Sequence, residues 1–355
     1  MVAVPVYTNK SRMCQTPNTA RPTVSIIILN WNGAELLPRC LDSVTAQTFK
    51  DYEIIVVDNA STDSSADKAI HHWPQAQVMK LDRNIGFSAA NNLGAQIAHG
   101  RWLVFLNNDA FPIHDWLENL VKAAKSHPRF SFFASHIIQA NDTNIIDSTG
   151  DICHISGLSW HRDLNQPVEQ AHLETDEVFS PCAAAALYDR DAFLQVGGFD
   201  KDYFSHHEDI DLGFRLRLQG LRCIYVPDAI VAHIGSASFG GEGETTIYQT
   251  HRNFVWTYFK DMPGYLFWKY LPAHILANLV FLLHYTLRGQ GKAILRAKLD
   301  ALRGLPDVSR KRREIQRQRK VQPAEINRVL DHGLLSPYML GTCVDKIRQL
   351  LKSLV

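Results

Sequence analysis

The sequence predicts an α/β protein: a mostly parallel central sheet flanked by helices, with a helical region at the C-terminal end. Two observations predict this class. Between residues 23 and 106, short β-branched and apolar runs alternate with stretches whose apolar residues recur at helical spacing, as in strands joined by crossover helices. After residue 243 the chain becomes rich in Leu, aromatic and basic residues, and this part is predicted to be helical.

Four apolar runs predict strands, at residues 23–29, 53–57, 78–81 and 102–106. The first is a continuous β-branched run, which suits a strand buried on both faces of a parallel sheet. The stretches between the runs predict helices at residues 33–47, 64–72 and 87–97, because their apolar residues lie at helical spacing. Gly100 is expected to cap the last of these helices.

Two acidic residues, Asp58 and Asp109, directly follow strands of this predicted sheet. A single Asp after a strand is more often part of a turn or a helix cap than of a binding site. In open α/β sheets, however, ligands lie beyond the carboxyl ends of the strands. Two such residues on different strands therefore predict a shared site.

The pattern becomes less regular in the middle of the chain. Residues 141–178 are polar and contain Gly and Pro, so they predict loops and short strands. After an apolar run at 179–188, helices are predicted at 190–196 and 208–219, each ending at glycine. A short strand is expected at 223–226, and 230–232 is another short apolar piece.

A long apolar segment, residues 264–287, is followed by a basic one. Residues 270–287 are 18 positions without Asp, Glu, Lys or Arg, which is at the edge of what can span a bilayer. A membrane span, a helix on the membrane surface and a helix buried against the protein all remain open. Residues 288–320 hold 12 Lys and Arg against 3 Asp and Glu, a net charge of +9, although the whole chain carries +1. This asymmetry favours an anionic membrane surface, and nucleic acid is not expected because no reader motif accompanies the charge.

These patterns divide the chain into a loose polar leader at 1–21, an α/β domain at 22–242 and a helical, basic region at 243–355. The leader has no continuous apolar core behind a basic start and is not expected to be a secretory signal.

Six scattered cysteines without a CxxC pair predict free thiols in a reducing compartment. We therefore expect a cytoplasmic protein, peripheral on the inner face of the cell membrane.

Several acidic and amide residues suit a reaction in which a diphosphate leaves and a hydroxyl attacks. A departing diphosphate develops charge that a divalent cation can neutralise. Asp109 is the candidate cation ligand, with Asn107 or Asn108 assisting through water or a carbonyl. Asp58 could accept a hydrogen bond from a nucleobase or a ribose.

The segment HHEDIDL and a later histidine complete this set of candidates. Asp209, next to Glu208, could take the proton from an attacking hydroxyl. His233 follows an apolar run, so its imidazole could point into the same cleft. Each has a structural alternative, since acids at a helix start are favoured by the helix dipole and a lone His after a strand is usually structural. The segment is not the HExxH zinc motif, because its spacing to a second His is wrong.

Six stretches in order resemble the family 2 glycosyltransferases, and within them the bacterial rhamnosyltransferase-like group. They cover residues 23–240 and are VSIIILNWNG, VVDNASTDSSA, NIGFSAANNLG, LVFLNNDA, VGGFDKDYFSHHEDIDLGFRLRLQG and VAHIGSAS. The resemblance implies a GT-A-like fold of the nucleotide-diphospho-sugar transferase type. It also implies dependence on a divalent metal, Mn²⁺ or Mg²⁺, and inversion at the anomeric carbon.

The resemblance also implies roles for individual residues. Asp58 matches the nucleoside-binding Asp, Asp109 the last position of the metal and diphosphate motif, and Asp209 the catalytic base. His233 matches a metal ligand seen in some members. The remaining matches are donor-site positions, namely Asn30, Asn32, Asn84, Gly86 and Asn91.

The sequence departs from many members of the family at Asn107 and Asn108, where those members have Asp. Fewer carboxylates mean a weaker grip on a hard cation. The NND pattern is similar to that of enzymes using dTDP-rhamnose, so the resemblance implies transfer of L-rhamnose to a lipid-linked or polysaccharide hydroxyl in cell-surface glycan synthesis. A UDP-sugar donor is the alternative.

Two other classes compete with this expectation. A nucleotidyltransferase would need a Gly-rich basic loop for a triphosphate, and none lies near the first strand. A catalytically silent nucleotide-binding scaffold at the membrane would bind the donor without transferring the sugar.

Overall fold

The computed structural model describes residues 21–235 and 243–333, so nearly all of the predicted leader lies outside the described residues. Helices and strands alternate through the first part of the chain. The strands are β1 (Val24–Asn30), β2 (Tyr52–Asp58), β3 (Ala76–Lys80), β4 (Trp102–Asn107), β5 (Ala110–Pro112), β6 (Phe132–Gln139), β7 (Asp142–Ser148), β8 (Asp151–Cys153), β9 (Ser159–His161), β10 (Glu177–Val178), β11 (Ala185–Asp189) and β12 (Cys223–His233).

The helices lie between these strands and then follow one another at the C-terminal end. They are α1 (Leu36–Thr45), α2 (Ser65–His72), α3 (Phe87–Ile97), α4 (Trp116–Ser126), α5 (Arg190–Gln195), α6 (Glu208–Leu218), α7 (Glu244–Asp261), α8 (Gly264–Leu287), α9 (Gly291–Gln318) and α10 (Pro323–Val329). The alternation and the helical C-terminal region confirm the predicted fold class.

Ten of the described strands form one sheet in the order β10-β12-β6-β11-β4-β1-β2-β3, with β5 paired to β12 and β7 to β6. The pairs β3–β2, β2–β1, β1–β4 and β6–β12 are parallel, whereas β11 runs antiparallel between β4 and β6. Strands β8 and β9 form a separate two-stranded sheet. The sheet is therefore mixed but mostly parallel, and most of its strands end at the same edge.

Strand β1 shows why the first apolar run predicted burial on both faces. Ile26 and Ile28 pack in one apolar cluster with α1 and α4. Ile27 points the opposite way, into a second cluster with residues of α3 and α6. All three side chains are fully buried, because alternate residues of a strand face opposite sides of the sheet.

One prediction about local structure was wrong, and one strand is longer than predicted. Gly100 does not cap α3, which ends at Ile97. It lies instead so close to β1 that a Cβ atom would come within 2.5 Å of the Ser25 nitrogen. The strand predicted at 223–226 continues through the apolar piece at 230–232 as one strand, β12, with a register irregularity between Val226 and Ile230.

The C-terminal helices cover α6. Phe214 of α6 packs in a buried cluster with Tyr258 of α7, Leu266 of α8 and Ile326 of α10. Apolar burial of this kind contributes roughly 1.5–3 kcal/mol per large side chain. The helices after residue 243 therefore stabilise the position of α6, whose first turn carries Asp209.

Candidate active site

A pocket of about 870 Å³ lies at the carboxyl edge of the sheet, where ligands bind in open α/β proteins. Its size falls in the range usual for ligand sites. Many of its lining residues are polar or ionisable. They include Asn59, Asn84, Asn107, Asn108, Asp109, Asp147, Asp151, His161, His206, His207, Glu208, Asp209 and His233.

A buried chain of side chains joins the ends of three strands beneath this pocket. The Asn30 amide donates to Asp58 Oδ1 at 2.8 Å, and the Asn108 amide donates to Asn30 Oδ1 at 3.0 Å. Asp58 also accepts from the Ser61 hydroxyl at 2.5 Å. Gly33 leaves room for this chain, since a Cβ there would come within 2.3 Å of the Asn108 amide. Asn108 lines the pocket at one end of this row of hydrogen-bonded side chains, and the Asp58 carboxylate accepts hydrogen bonds at the other end.

A second group of amides shapes the pocket wall before α3. The Asn59 amide donates to Asn84 Oδ1 at 2.9 Å, and the Asn84 oxygen also accepts from the Gly86 N–H at 2.9 Å. Gly86 has φ +84°, and a Cβ there would meet Phe204 at 2.6 Å. Only glycine therefore combines this left-handed backbone with so close an approach.

Asp109 and His233 meet at the pocket wall, where β5 pairs with the end of β12. His233 Nε2 lies 3.3 Å from Asp109 Oδ1, and His233 Nδ1 donates to Asp147 Oδ2 at 2.7 Å. Burial alone would lower the pKa of His233, but the two carboxylates outweigh it and raise that pKa to about 10. The imidazole is therefore a cation between two carboxylates at neutral pH.

The residues here fit a divalent cation of the kind that the family resemblance implies. His233 Nε2 is buried and makes no hydrogen bond to any described residue, although the Asp109 carboxylate lies beside it. Asp147 holds the other ring nitrogen, as carboxylates commonly do for metal-binding histidines. The described residues contain no group of three or more His, Cys, Asp or Glu placed to hold a metal. Two protein ligands suit a cation that takes its other ligands from phosphate and water, and binding would require loss of the His233 proton.

The loop before α6 has an unusual backbone. Phe204, His206 and His207 have φ of 62°, 68° and 68°, a left-handed conformation that costs about 1 kcal/mol or more for a non-glycine residue. Asn253 of α7 is fully buried and donates to the Ser205 and His206 carbonyls at 2.9 and 2.7 Å. The helical C-terminal region therefore holds the loop that aims the first turn of α6 at the pocket.

Glu208 is buried and Asp209 is half-buried at the pocket wall, and their environments differ. Burial, together with the charge of Asp151, raises the pKa of Asp209 to about 6, while the N–H groups of Ile210 and Ala183 act in the opposite direction. Burial and the nearby Asp209 raise the pKa of Glu208 well above its ordinary value. Asp209 is ionised above about pH 6 and can then accept a proton, whereas burial favours the protonated form of Glu208.

His161 and Asp151 form an ion pair on the other side of the same pocket. His161 Nδ1 lies 2.6 Å from Asp151 Oδ1. Burial lowers the pKa of His161, but Asp151 outweighs burial and raises that pKa to about 9. The positive charge of His161 lowers the pKa of Asp209, whereas the negative charge of Asp151 raises it. The ion pair therefore influences the pH at which the candidate base becomes ionised.

The structure brings together most of the residues that the sequence suggested. Asn84, Gly86, Asn107, Asn108, Asp109, Glu208, Asp209 and His233 line the pocket. Four other predicted donor-site residues, all within the described part of the chain, are not in its wall: Asn30, Asn32, Asp58 and Asn91. Asn32 accepts from the Thr62 N–H at 2.8 Å, and Asn91 donates to the Phe87 carbonyl at 3.1 Å.

Sequence reasoning did not single out four of the functional candidates: Asn59, Asp147, Asp151 and His161. The last three lie in the polar stretch at 141–178, where no periodic pattern marks them. The one available signal was their residue type, an Asp or His in a segment expected to hold short strands. Asn59 follows Asp58 directly in the VVDN segment, so its position after a strand could have identified it.

Together, the sheet and the acidic pocket at its carboxyl edge define a GT-A-like sugar transferase. Residues 25–197 match the sequence model of the family described as Glycosyl transferase family 2. The chain belongs to this family and is a glycosyltransferase.

Three similar proteins show how far the similarity extends. The O-antigen biosynthesis protein RfbC of Myxococcus xanthus is 30% identical over 232 residues, which are 62% of this chain and 18% of that protein, so this chain matches less than a fifth of its length. The N-acetylglucosaminyl-diphospho-decaprenol L-rhamnosyltransferase of Mycobacterium tuberculosis is 27% identical over 250 residues, 64% of this chain and 81% of that protein. The mannosyltransferase PcManGT from Pyrobaculum calidifontis, solved with GDP-Man and Mn²⁺, is 19% identical with a TM-score of 0.52, and the alignment covers 82% of this chain and 91% of that one. The last similarity is one of fold.

Proposed function

We propose that this glycosyltransferase moves L-rhamnose from dTDP-rhamnose, with inversion, to a hydroxyl of a lipid-linked or polysaccharide acceptor in cell-surface glycan synthesis. One observation carries the proposal: a single pocket is lined by the ionisable Asp209 and by the Asp109–His233 pair. The mycobacterial relative, named as a rhamnosyltransferase acting on a decaprenol-linked sugar, supports the choice of sugar and acceptor.

The reaction assigns a separate task to each side of the pocket. Asp109 and His233 would hold Mn²⁺ or Mg²⁺, which when bound neutralises charge on the departing diphosphate. Asp209 takes the proton of the acceptor hydroxyl, whose oxygen forms a bond to the anomeric carbon. The bond from that carbon to the diphosphate oxygen breaks, and its electron pair leaves with the nucleoside diphosphate. Attack opposite the leaving group inverts the anomeric carbon.

Neutral amides line the donor side in place of further carboxylates. Asn107 and Asn108 precede Asp109, and the Asn108 amide is engaged by Asn30 at 3.0 Å. An anionic diphosphate meets less repulsion from amides than from carboxylates. We therefore propose that binding of the diphosphate and binding of the cation reinforce each other at this wall.

Nucleotide binding tests the donor site without any acceptor. Thymidine, uridine and guanosine diphosphates are titrated by calorimetry with and without Mn²⁺, into the original chain and into Asp109→Ala. We expect Mn²⁺ to tighten thymidine diphosphate binding, and we expect Asp109→Ala to weaken the Mn²⁺-dependent part by about 10- to 100-fold, since a metal ligand is lost. Asp228→Ala, at an exposed position away from the pocket, is the matched control.

The other outcomes of this titration separate the alternatives. A preference for uridine diphosphate would replace the thymidine donor by a UDP-sugar. Binding that is equal in Asp109→Ala and in the original chain would remove Asp109 from the site. Nucleotide binding without sugar release from any donor, with every candidate acceptor, would favour the silent scaffold.

The pH dependence of catalysis tests the electrostatics of the base. The pKa of Asp209 is about 6, and only the ionised carboxylate accepts a proton, so kcat/KM should rise about tenfold per pH unit below this value and level off above it. His161→Gln removes a charge that lowers the pKa of Asp209 and should move the rise to higher pH. An unchanged profile in His161→Gln would contradict this coupling.

A further inference from the structure

Helix α8 leaves one apolar face exposed. Its exposed large side chains are Tyr265, Trp268, Ile275, Leu276, Leu279, Val280, Leu283 and Leu287, with exposed fractions from 36% to 77%. From Ile275 onward they recur at steps of one, three and four residues. Trp268 lies two helical turns before Ile275, and Tyr265 lies three residues before Trp268, so all eight fall on one stripe. Leu266, Phe267, Tyr270 and His274 are buried. The helix is therefore apolar on both sides, and only one side is covered by described residues.

Helix α9 leaves a similar stripe exposed beside basic residues. Leu295, Leu299 and Leu302 are 50%, 43% and 58% exposed. The side chains of Arg296 and Arg303 are 75% and 74% exposed, and Lys292 is exposed as well. Exposed apolar patches that are rimmed by polar residues mark interaction surfaces.

The basic charge of α9 is divided between two uses. Near its C-terminal end, Lys311 pairs with Asp200 and Asp202, and Arg312 donates to the Phe259 and Met262 carbonyls at 2.9 and 2.8 Å. These groups hold α9 against the rest of the protein. Part of the positive charge of this segment is therefore used in contacts with the rest of the protein. In the first half of α9, the side chains of Lys292, Arg296 and Arg303 are exposed, whereas Lys298 donates to the His251 carbonyl at 3.1 Å.

Helix α8 is long and apolar enough to cross a membrane by length and composition, yet its polar contacts hold it to the protein. His274 Nδ1 contacts the Ser156 carbonyl at 2.8 Å, and the Tyr270 hydroxyl donates to Asn327 Oδ1 at 2.6 Å. A transmembrane position would remove both contacts and expose the buried face of α8. An orientation parallel to the membrane keeps them.

The hairpin of α8 and α9 lies next to the pocket. Ile247 of α7 packs in a buried cluster with Ala293 and Ile294 of α9, and Leu282 and Tyr285 of α8 contact the same cluster. Residues Thr245 and Thr250, on either side of Ile247 in α7, line the pocket. Helix α7 therefore lies between the pocket and the exposed leucines near the turn from α8 to α9.

We propose that one face of the α8–α9 hairpin docks on the surface of an anionic bilayer, parallel to its plane. This hairpin face consists of the exposed stripe of α8 together with Leu295, Leu299, Leu302, Lys292, Arg296 and Arg303. The leucines would enter the boundary between headgroups and acyl chains, and the basic residues would contact anionic headgroups. Trp268 and Tyr265, at one end of the stripe, are of the type that favours this boundary. The basic residues favour a lipid surface over a second copy of the chain, which would bring two sets of like charges together. Docking of this face does not depend on which sugar is transferred.

Co-sedimentation with vesicles tests the hairpin face in the full chain. Vesicles of phosphatidylcholine are compared with vesicles that also contain phosphatidylglycerol. We expect binding to the anionic vesicles that weakens with added salt. The double variant Leu276→Gln with Leu283→Gln should lower the partition coefficient by at least about tenfold, because two apolar side chains no longer enter the bilayer.

A charge variant and two matched controls complete the test. Replacing Lys292, Arg296 and Arg303 together by Gln should lower binding to anionic vesicles by at least about tenfold and leave binding to phosphatidylcholine unchanged. The controls should bind as the original chain does. They are Leu173→Gln, at an exposed leucine of the α/β part, and the combined Gln replacement of Lys122, Lys125 and Arg129, which are exposed basic residues in and after α4.

Three results would overturn the proposal. The first is an original chain that stays in the supernatant with anionic vesicles. The second is an original chain that is dimeric in solution and becomes monomeric in the Leu276 and Leu283 variant, which would assign the face to a second copy. The third is that a variant ending at Gly333 binds vesicles whereas the full chain does not. Residues 334–355 would then be the segment that covers the hairpin face in the full chain. Nucleotide binding is measured in the same samples, so a failed donor site and a failed docking face are distinguishable.

Discussion

Replacing Asp209 with Asn is expected to lower turnover by at least about 100-fold, because a general base contributes about 10²- to 10⁴-fold. The exchange preserves the shape of the side chain. An Asn oxygen can still accept from the Ile210 N–H, which donates to Asp209 Oδ1 at 2.8 Å. Binding of the nucleoside diphosphate should therefore be retained. Steady-state kinetics with a saturating donor, together with nucleotide calorimetry, measures both quantities.

The same substitution should make the folded protein more stable at neutral pH. The pKa of Asp209 in the folded state is about 6, above its ordinary value of 3.8. Proton binding thus stabilises the fold fully below the ordinary pKa, and this stabilisation is lost as the pH rises through 6. Above that pH the half-buried carboxylate costs on the order of 1–3 kcal/mol, which Asn removes. Urea denaturation should show the gain at about pH 8 and little gain at about pH 4.

Glu208→Gln is the control for the assignment of the base. Burial and Asp209 raise the pKa of Glu208 well above its ordinary value, which favours the protonated carboxyl, and the Gln carboxamide resembles that form. Turnover should stay within about tenfold of the original. A large loss in Glu208→Gln with near-normal turnover in Asp209→Asn would transfer the role of the base to Glu208.

Replacing Asp211 with Asn, two residues further along α6, should have the opposite effect on stability. The Asp211 carboxylate is fully buried and pairs with Arg215 at 2.6 Å and also with Lys260. Burial acts to raise the pKa of Asp211, but the charges of Arg215 and Lys260 outweigh it and lower that pKa. Asn would leave both cations without this partner, at an expected loss of about 3–5 kcal/mol in the free energy of unfolding.

A half-buried carboxylate nearer the surface provides the comparison for Asp211. Asp300 of α9 pairs with Arg303 at 2.8 Å on the protein surface, so Asp300→Asn should change the free energy of unfolding by about 0–1 kcal/mol. Equal losses in the free energy of unfolding of Asp211→Asn and Asp300→Asn would show that the pairs of Asp211 with Arg215 and Lys260 do not stabilise α6. Denaturation at neutral pH measures both.

Local patterns were sufficient to predict the sheet and several pocket residues. The apolar run at β1 had to be buried on both faces, and the strands β1 to β4 followed from alternation along the chain. Asp109 follows one of these strands and His233 ends β12. Because parallel strands end at one edge, their positions in sequence already implied proximity.

The partners of those residues come from distant parts of the chain. Asp147, which holds His233, lies 86 residues earlier in a segment without periodicity. Asn253, which holds the loop before Asp209, lies in the helical C-terminal region and about 47 residues after His206. Hydropathy and spacing record only neighbours along the chain, so long-range contacts of this kind are decided by packing.

The sequence by itself determined that this protein has an α/β sheet with acids at its carboxyl edge, and that a long apolar segment precedes a basic one. Only the tertiary structure decided which of these groups meet and how their charges balance. The pKa of Asp209 depends on burial and on Asp151, and the exposed stripe of α8 depends on which side of that helix is covered. Burial and electrostatic coupling are properties of the packed molecule, which is why the sequence alone left them open.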